Sequence, residues 1–523
     1  MTDINRRSFL GAGAGLAALG MLNPCPDQGD TSDKGTPTGA LAFDAANYTE
    51  QTASITTDSG KQEVAYKFYG PLTYVEKPVD EQYQSLVISV PTSINGKAVD
   101  ASKAPIVFVN SVGGYMPASV ANATQVNGAT RIDPSGGGAS GGQAANTGGS
   151  NGSIKAEAGS NAMIDSSGGM VSLAELSLAA GYVVVEVGCR GRSLTNDAGE
   201  YYGVAPAAIV DLKAALRYLH YNASLLPGNT DRIVTTGTSA GGALSALLGA
   251  SGNSPLYRKY LEELGAAEAS DAIFASGDWC PITDLEHADM AYEWCWGSLD
   301  YSGEIDTAIS ADLKKGYSDY LASLKLTSPG QGRLSTDNYG EYLLETFLQP
   351  AAQDYLAALS EADRQTYLDK NTFITWADGK ASFTWEDFLA HIANRSKAAP
   401  AFDALDLSSG ENNLFGLGTT ESRHFTRFSA ERAGETLARD IPEKLKLMNP
   451  MYHLERRKTD RAKHWWIRVG TADTDTSLSI VGNLAGKLQN LGDDVNAKMY
   501  WDAGHGANTD AADFIAWIQE ISS

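Results

Sequence analysis

The spacing of apolar residues predicts strands of two kinds in the first half of the chain. Apolar and polar residues alternate in EVAYKFYG (63–70) and YQSLVISVP (83–91), with the period of half-buried strands. APIVFVN (104–110) and GYVVVEVGC (181–189) are instead continuous runs rich in β-branched residues, typical of strands buried on both faces of a parallel sheet. The segment 204–222 has apolar residues at helical spacing, so we expect strands and helices to alternate.

This alternation continues on both sides of one long interruption. RIVTTG (232–237) and DAIFASGDW (271–279) predict two further strands. From about residue 283 to 455 the pattern lapses into mixed helical segments, and strands resume at HWWIRVGTAD (464–473) and VNAKMYWDAGH (495–505). The predicted fold class is α/β, a doubly wound, mostly parallel sheet that carries a large, mainly helical lid or cap insertion.

The predicted organisation has four parts. A signal and flexible tether occupy residues 1–42, the first part of the core 43–282, the lid or cap 283–455, and the second part of the core 456–523. The first part of the core carries a low-complexity Gly/Ser/Ala insert at about 123–170. Such a composition has too few apolar residues to bury a core of its own, which predicts a mobile surface segment.

The first residues, MTDINRRSFLGAGAGLAALGML, have the features of a twin-arginine export signal. Arg6 and Arg7 precede a short run of small and apolar residues, and that run is too short to span a bilayer comfortably. Lipid attachment at Cys25 is a weaker alternative, because Pro24 stands where a lipoprotein site has a small residue. We expect export by the twin-arginine route and an extracellular or cell-envelope location.

Composition narrows the range of partners and cofactors. The 523 residues carry a formal net charge of −23, which argues against nucleic acid or an anionic membrane as a partner. The four cysteines (Cys25, Cys189, Cys280 and Cys295) are too few and too scattered for a disulfide scaffold or a metal knuckle. We expect buried free thiols, with a Cys280–Cys295 pair as the alternative, and neither a metal nor an organic cofactor.

A serine lies between glycines where a strand pattern gives way to a helix pattern, in RIVTTGTSAGGALSALLGASG (232–252). The pentapeptide GTSAG (237–241) matches the strand–turn–helix elbow G-x-S-x-G, whose turn is so tight that side chains two positions from the serine would collide. A glycine-rich bend without chemistry is the alternative. The position between a buried-type strand and an apolar helix favours Ser239 as a nucleophile.

A serine nucleophile needs a base and a carboxylate that orients the base. His505, in WDAGHGANTD, follows the last predicted strand, and Asp473, in RVGTADTDTS, follows the strand before it. This is the chain order Ser, Asp, His of α/β-hydrolases. Asp475 competes with Asp473 for the role of the acid, and the shorter distance from the strand favours Asp473. We expect packing or surface roles for the other histidines.

The oxyanion hole would use the backbone N–H of Ala240 and a second N–H from the loop after the strand at 104–110. That loop reads NSVGGYMP, where Gly113 and Gly114 let the backbone approach a substrate closely. A purely structural glycine turn is the other interpretation of these two residues.

With these residues the chain resembles the bacterial tannases (tannin acyl hydrolases), serine esterases of the α/β-hydrolase fold. The resemblance extends from about residue 43 to the C-terminus, apart from the Gly/Ser insert. It is carried by NSVGGYMP, GTSAGGALS, CPITDLEHADMAYEW (280–294), PAFDALDLSSGENNLFG (400–416) and RVGTADTDTS. Thr238 and Gly504 stand where fungal tannases have cysteines, which excludes that variant.

The resemblance implies a catalytic role for Ser239, Asp473 and His505. It also implies that the N–H groups of Gly114 and Ala240 form the oxyanion hole. The implied reaction is hydrolysis of the galloyl ester and depside bonds of hydrolysable tannins and of simple gallate esters, through an acyl-enzyme and without a cofactor.

The resemblance further implies that Lys397, Glu411 and Asp475 contact the galloyl hydroxyls, which gives the second aspartate of ADTD a role of its own. A feruloyl esterase or another aromatic carboxylesterase is the alternative, in which these three residues have no shared role and are surface charges on a lid. A non-catalytic binding protein on the same scaffold would have no use for a nucleophile, base and acid in the right order.

Overall fold

The described part of the chain comprises residues 37–131, 163–456 and 459–523 of a computed structural model. The predicted export signal, Cys25 and residues 132–162 of the predicted Gly/Ser insert lie outside these ranges. At the edges of the insert, Thr130–Arg131 pairs with Ala118–Ser119, and Met163–Ile164 pairs with Met170–Val171.

The strands of the described residues are numbered in chain order. They are β1 (Thr49–Thr57), β2 (Gly60–Thr73), β3 (Ser85–Ile94), β4 (Lys97–Ala98), β5 (Pro105–Asn110), β6 (Ala118–Ser119), β7 (Thr130–Arg131), β8 (Met163–Ile164), β9 (Met170–Val171), β10 (Val183–Val187), β11 (Asn229–Thr238), β12 (Ala275–Trp279), β13 (Thr327–Ser328), β14 (Gly332–Arg333), β15 (Thr375–Ala377), β16 (Lys380–Ser382), β17 (His464–Gly470) and β18 (Asp494–Tyr500).

The α-helices are numbered in the same way. They are α1 (Leu173–Ala179), α2 (Ala207–Tyr221), α3 (Ala240–Ala250), α4 (Arg258–Glu263), α5 (Leu285–Trp296), α6 (Thr307–Leu324), α7 (Tyr339–Leu343), α8 (Gln349–Ala358), α9 (Glu361–Lys370), α10 (Trp385–Ile392), α11 (Gly410–Leu414), α12 (Arg427–Arg432), α13 (Ile441–Met448), α14 (Pro450–Leu454), α15 (Leu478–Asn490) and α16 (Ala511–Ser522).

One large sheet has the strand order β1-β2-β3-β10-β5-β11-β12-β17-β18, with β4 paired to β3. In the part of the sheet with the order β10-β5-β11-β12-β17-β18, each pair of neighbouring strands is parallel. The pairs β1–β2, β2–β3 and β3–β10 are antiparallel. The continuous apolar runs predicted as buried strands are β5 and β10, within this parallel part. Because parallel strands share one carboxyl edge, the loops after β5, β11, β12, β17 and β18 all begin at that edge.

Helices cover both faces of the sheet. A side chain at Gly249 of α3 would lie 3.2 Å from Cβ of Ser276 in β12, whereas the next strand residue, Gly277, faces the ring of Phe514 in α16 at 3.0 Å. Successive strand residues point to opposite faces, so α3 and α16 cover opposite sides of the sheet. The predicted doubly wound α/β-hydrolase fold is confirmed.

The helices α5 to α14 lie in the chain between β12 and β17, and the first of them, α5, packs on the loop after β17. The ring of Trp294 in α5 lies 5.3 Å from that of Tyr339 and 5.6 Å from that of Trp385. The indole N–H of Trp296 donates to the carbonyl oxygen of Thr476 (2.8 Å). Burial of these aromatic rings therefore attaches the predicted insertion directly to the carboxyl edge of the sheet.

The cysteines of the described residues are unpaired. Cys189, Cys280 and Cys295 are free and buried, as expected from the sequence, and Cys280 does not pair with Cys295. In the ranges that the structure describes, we find no helix whose length and hydropathy would let it cross a bilayer.

Candidate active site

Ser239 occupies the sharp turn between β11 and α3. Its backbone is in a region that side chains rarely adopt (φ 60°, ψ −122°), and it is 4% exposed. A side chain at Gly237 would lie 2.3 Å from the carbonyl oxygen of Gly241, and one at Gly241 would lie 2.7 Å from Oδ1 of Asn110. Both glycines of the pentapeptide are therefore required sterically, and the predicted elbow is present.

The buried side chain of Asn110, at the end of β5, holds the two sides of this elbow together. Its Nδ2 donates to the carbonyl oxygens of Thr236 (3.0 Å) and Gly241 (3.1 Å). The backbone N–H of Ser239 donates to the carbonyl oxygen of Trp279 in the neighbouring strand (2.9 Å). These contacts offset the unfavourable backbone geometry of Ser239, because they fix the residues before and after it.

The loops after β17 and β18 bring the predicted acid and base together. Oδ2 of Asp473 lies 2.8 Å from Nδ1 of His505, and the Asp473 side chain is fully buried. The other carboxylate oxygen, Oδ1, accepts the backbone N–H groups of Asp475 (3.0 Å) and Thr476 (3.4 Å). Asp473, and not its competitor Asp475, is thus the carboxylate that orients His505.

The two loops can approach this closely because Gly470, the last residue of β17, has no side chain. A Cβ at this position would lie 2.0 Å from the carbonyl oxygen of Ala503. The same carbonyl oxygen accepts the backbone N–H of Ala472 (3.0 Å). The acid and the base are therefore fixed relative to each other by the main chain as well as by their side chains.

Cys280 is a residue of this site that the sequence analysis assigned to packing. It follows β12 directly, and its Sγ lies 3.9 Å from Nε2 of His505. Burial disfavours the protonated imidazole, but the Asp473 carboxylate and the Cys280 sulfur outweigh this effect and raise the pKa of His505 well above its ordinary value. The signal in the sequence was its position, directly after a buried strand next to the strand that carries the acid.

Cys280, Asp473 and His505 also offer the sulfur, nitrogen and oxygen donors that zinc accepts, and one donor atom from each lies within 4.8 Å of the others. The Asp473 carboxylate, however, is bonded to Nδ1 of His505, whereas Cys280 faces Nε2. The two groups therefore meet opposite nitrogens of one imidazole ring. This arrangement suits transfer of a proton at Nε2 better than shared coordination of one cation.

The two predicted oxyanion donors belong to segments in contact with the elbow. Ala240 is the first residue of α3, where a helix leaves its N–H groups without intrahelical partners. Gly114 has φ 54°, and the space that its side chain would occupy is open for 4 Å. The carbonyl oxygen of Val112, in the same loop, lies 2.7 Å from the position of a Cβ at Gly241. The glycine loop therefore packs against the elbow and leaves open space at Gly114.

Lys397 lies in the predicted insertion and is linked to the loop that carries the acid. Its Nζ is 4.5 Å from the centroid of the Phe402 ring. Its backbone N–H donates to the hydroxyl of Tyr292 (3.2 Å), which in turn donates to the carbonyl oxygen of Thr474 (2.7 Å). Thr474 stands between Asp473 and Asp475, so one tyrosine joins the Lys397 segment to both aspartates.

A buried ion pair fixes the backbone on which Lys397 stands. Arg395 and Glu293 of α5 are both buried and form a two-pronged contact, with Nη1 donating to Oε2 at 2.9 Å. The same guanidinium donates to the carbonyl oxygens of Lys397 (2.8 Å) and Ala398 (3.0 Å). No pattern in the sequence indicates this pair, because its partners lie far apart in the chain.

Asp475 lies beside the segment that precedes Lys397. Its Oδ1 accepts the hydroxyl of Ser396 at 3.3 Å, and the same hydroxyl contacts the carbonyl oxygen of Thr474 at 2.6 Å. The structure thus brings Asp475 and Lys397, predicted from two distant parts of the sequence, into one network at the carboxyl edge of the sheet.

Glu411, in the first turn of α11, lies near the glycine loop. Burial is the largest cause that raises the pKa of Asp289, to about 7, and the Asp403 and Glu411 carboxylates raise it further. Burial and the Glu411 charge likewise raise the pKa of Tyr115, the residue after Gly114. Glu411 therefore lies close enough to Asp289 and to Tyr115 of the glycine loop for its charge to act on both.

Asp403, a buried residue that the sequence analysis did not single out, anchors α11. Its carboxylate accepts the side-chain amide of Asn412 (2.7 Å), contacts Nδ1 of His424 (2.8 Å), and accepts the backbone N–H groups of Phe425 (3.0 Å) and Thr426 (2.6 Å). Glu411 precedes Asn412 directly, so this network determines where Glu411 lies.

Known proteins are similar to this chain in sequence and in structure. The family model BD-FAE matches residues 159–326. Esterase LipQ of Mycobacterium tuberculosis (strain ATCC 25618 / H37Rv) is 32% identical over 96 residues, which are 18% of this chain and 22% of that protein. The match to this curated relative therefore spans less than a quarter of its length.

Similarity to solved structures extends over almost the whole chain. The tannase of Fusobacterium nucleatum is 34% identical, with 92% of this chain and 99% of that chain covered and a TM-score of 0.73. The native tannin acyl hydrolase of Lactobacillus plantarum has the same identity and coverage with a TM-score of 0.74. A tannin acyl hydrolase in complex with ethyl gallate also has this identity and coverage, with a TM-score of 0.75. The chain therefore belongs to the bacterial tannases, which are carboxylic ester hydrolases of the α/β-hydrolase fold.

Proposed function

We propose that this protein hydrolyses the galloyl ester and depside bonds of hydrolysable tannins and simple gallate esters, and releases gallate through an acyl-enzyme on Ser239. The observation that carries the proposal is the contact of 2.8 Å between Asp473 and His505, at the same sheet edge as a serine on a strained elbow. A structural relative in complex with ethyl gallate supports the choice of substrate class.

In the proposed acylation step, Nε2 of His505 accepts the proton of the Ser239 hydroxyl as Oγ attacks the ester carbonyl carbon. The N–H groups of Gly114 and Ala240 stabilise the negative oxygen of the tetrahedral intermediate. The C–O bond to the alcohol then breaks, and the imidazolium donates its proton to the leaving oxygen. Asp473 stabilises the imidazolium and fixes its orientation throughout.

Deacylation repeats this chemistry with water as the nucleophile. His505 accepts a proton from water, the resulting hydroxide attacks the galloyl carbonyl carbon, and the same two N–H groups stabilise the second tetrahedral intermediate. Ser239 leaves with the proton from His505, and gallate is released. Each step consumes and returns one proton, so the cycle needs only the ester and water.

The galloyl ring would be recognised on the far side of the site from Ser239. Its three adjacent hydroxyls can accept a hydrogen bond from the ammonium of Lys397 and donate to the carboxylates of Glu411 and Asp475. If a ring hydroxyl is missing, one of these groups stays unpaired, which costs more than the loss of an apolar contact. Gallate esters should therefore be strongly preferred to esters of monohydroxybenzoate.

Turnover of three esters tests the proposal. We expect the ratio kcat/KM to be highest for methyl gallate, lower for methyl ferulate and lowest for a simple acetate ester. Ser239→Ala should abolish turnover of all three, whereas replacement by alanine of Ser245, a buried serine of the helix that follows Ser239, should not. A preference for methyl ferulate would assign the protein to feruloyl esters, and near-normal turnover by Ser239→Ala would refute the nucleophile.

We also propose that the protein is exported by the twin-arginine route to the cell envelope or beyond. The support is the pair Arg6-Arg7 before a short apolar run. Replacing both arginines by lysine keeps the charge and should leave the precursor in the cytoplasm. Unimpaired export of that double variant would contradict the proposal.

A further inference from the structure

The side chain of Arg192 extends from the core to α11 in the predicted lid. Its Nε donates to the carbonyl oxygen of Gly114 at 2.7 Å, and its Nη1 donates to Oδ1 of Asn413 at 2.6 Å. One guanidinium therefore joins the loop of the proposed oxyanion donor to the helix that carries Glu411. The hydrogen bond from Arg192 to Asn413 joins residues that are 221 positions apart in the chain.

The main chain at Arg192 is itself fixed to the glycine loop. The backbone N–H of Arg192 donates to the carbonyl oxygen of Tyr115 at 2.9 Å. A side chain at Gly191 would lie 2.1 Å from the nitrogen of Pro117, so these two segments pack backbone against backbone. Arg192 thus holds two consecutive carbonyl groups of the loop, one with its side chain and one with its main chain.

The guanidinium is equally close to the start of α11. A Cβ at Gly410, the residue before Glu411, would lie 2.9 Å from Nη2 of Arg192. Asn413 is in turn fixed by a hydrogen bond from its Nδ2 to the carbonyl oxygen of Glu421 at 3.0 Å. The arginine therefore contacts the residues on both sides of Glu411.

Gly114 needs such support because it has no side chain and open space beside it. A glycine at φ 54° is free to change its conformation, and each change would turn the N–H that must face the oxyanion. The planar, forked donors of arginine fix two acceptors at set directions, which the single point charge of a lysine does not do.

We propose that Arg192 is a positioning residue that aligns the N–H of Gly114 and couples this alignment to the helix that recognises the galloyl ring. The proposal rests on the proposed function, because it assumes that Gly114 is an oxyanion donor and that Glu411 contacts the ring. Beyond the proposed function, it adds Arg192 to the site and a coupling between the loop of Gly114 and α11.

The test measures kcat and KM for methyl gallate and for 4-nitrophenyl acetate, which has no ring hydroxyls in its acyl group. Removal of a whole oxyanion donor typically lowers kcat by about 10²- to 10³-fold, so its misalignment in Arg192→Ala should lower kcat by about 10- to 100-fold on both esters. KM for the acetate ester should change little. Arg192→Lys should recover only part of this loss.

Variants of Asn413 test the coupling. Asn413→Asp keeps an acceptor for Nη1, and Asn413→Leu removes it, so we expect Asn413→Leu to lower turnover of methyl gallate more than Asn413→Asp does. Arg423→Ala is the matched control, because Arg423 is a lid arginine bonded to the carbonyl oxygen of Phe415 and to Asp440. It should lower the Tm without lowering kcat on the acetate ester.

Affinity for phenylboronic acid, which forms a tetrahedral adduct with an active serine, separates alignment from general loss of structure. The affinity should fall in Arg192→Ala by about the same factor as kcat, and it should not fall in Arg423→Ala. Unchanged kcat and boronate affinity in Arg192→Ala would overturn the proposal. If Ser239→Ala also remained active, the proposed function itself would fail, so the two failures are distinguishable.

Discussion

The two halves of the site are built in different ways. Ser239, Asp473 and His505 follow the parallel strands β11, β17 and β18 at one edge of the sheet, on short loops that the main chain fixes. Lys397 and Glu411 lie on segments of the insertion, and buried side-chain networks centred on Arg395 and Asp403 hold them in place.

This difference teaches where each half is vulnerable. The chemical half depends mainly on backbone contacts, which the side chains of Asn110 and Arg192 support at the elbow and at the glycine loop. The recognition half depends on buried charges, each of which is costly if its partner is removed. We therefore expect mutations in the chemical half to lower kcat on every ester, and mutations in the recognition half to lower the preference for gallate esters. The following predictions test this separation.

The largest expected effect is a loss of kcat, and it should distinguish Asp473 from Asp475, two residues further along the chain. Asp473→Asn should lower kcat by about 10⁴-fold on every ester, as the corresponding change does in serine proteases, because the imidazole loses its orienting carboxylate. Asp475→Asn is the matched control and should keep most of the activity on 4-nitrophenyl acetate while losing activity on methyl gallate. Equal losses in the two variants on both esters would contradict the division of the site.

The next largest expected effect is a loss of stability when the buried ion pair between Arg395 and Glu293 is broken. Glu293→Met or Arg395→Met alone should lower the free energy of unfolding by about 3–5 kcal/mol, because a buried charge is left without its partner. The double variant should recover much of this stability, since apolar side chains of similar size can replace a buried ion pair. Denaturant unfolding measures both quantities. A double variant no more stable than either single one would show that the pair is not the stabilising unit.

The recovered double variant should still be impaired in recognition. Its side chains can no longer hold the carbonyl oxygens of Lys397 and Ala398, so preference for gallate over acetate esters should stay reduced. Full recovery of that preference would mean that the ion pair contributes to stability alone.

Direct removal of the ring contacts should have a smaller, more selective effect. Lys397→Ala and Glu411→Gln should each lower kcat/KM for methyl gallate by about 10- to 100-fold, because each loses a hydrogen bond to a charged group. The acetate ester should be nearly unaffected. Equal losses on both esters would make these residues structural and return the protein to the class of general esterases.

The smallest effect should be a shift of the pH dependence. His505 must be neutral to accept a proton, so kcat/KM should rise with pH and reach half of its plateau above the ordinary histidine pKa of about 6.5. Cys280→Ala removes one of the two groups that raise this pKa, so the midpoint should move to lower pH. A pH–rate profile on 4-nitrophenyl acetate measures it, and a midpoint that stays in place or rises would contradict the role of Cys280.

Most of the sheet could be predicted from the sequence, and so could the candidate catalytic residues at its carboxyl edge, because both depend on local patterns. The continuous apolar runs became β5 and β10, and the run VNAKMY became part of β18. Ser239, Asp473 and His505 were predicted as catalytic residues because each lies just past a predicted strand. The choice between Asp473 and Asp475 was decided by the structure, through the contact to His505.

The proposed ring contacts were predicted only through the resemblance to tannases. Lys397 and Glu411 occur in segments without strong periodicity, and their positions depend on partners far away in the chain, such as Glu293 and Asp403. Arg192 was missed because its proposed role follows from contacts with Gly114 and Asn413, which no spacing in the sequence indicates. Cys280 was expected only to be a buried free thiol, although its position directly after a buried strand indicated the carboxyl edge of the sheet.

The most direct test of the central claim is the site at which a fluorophosphonate reacts. Such a reagent forms a stable phosphonate ester with a hydroxyl that a neighbouring base activates, and peptide mass spectrometry locates it. We predict one adduct, on the peptide that contains Ser239, slowed by gallate and lost in His505→Ala. An adduct on Cys280, which also faces His505, or the absence of any His505-dependent adduct would contradict the claim that Ser239 is the nucleophile of this esterase.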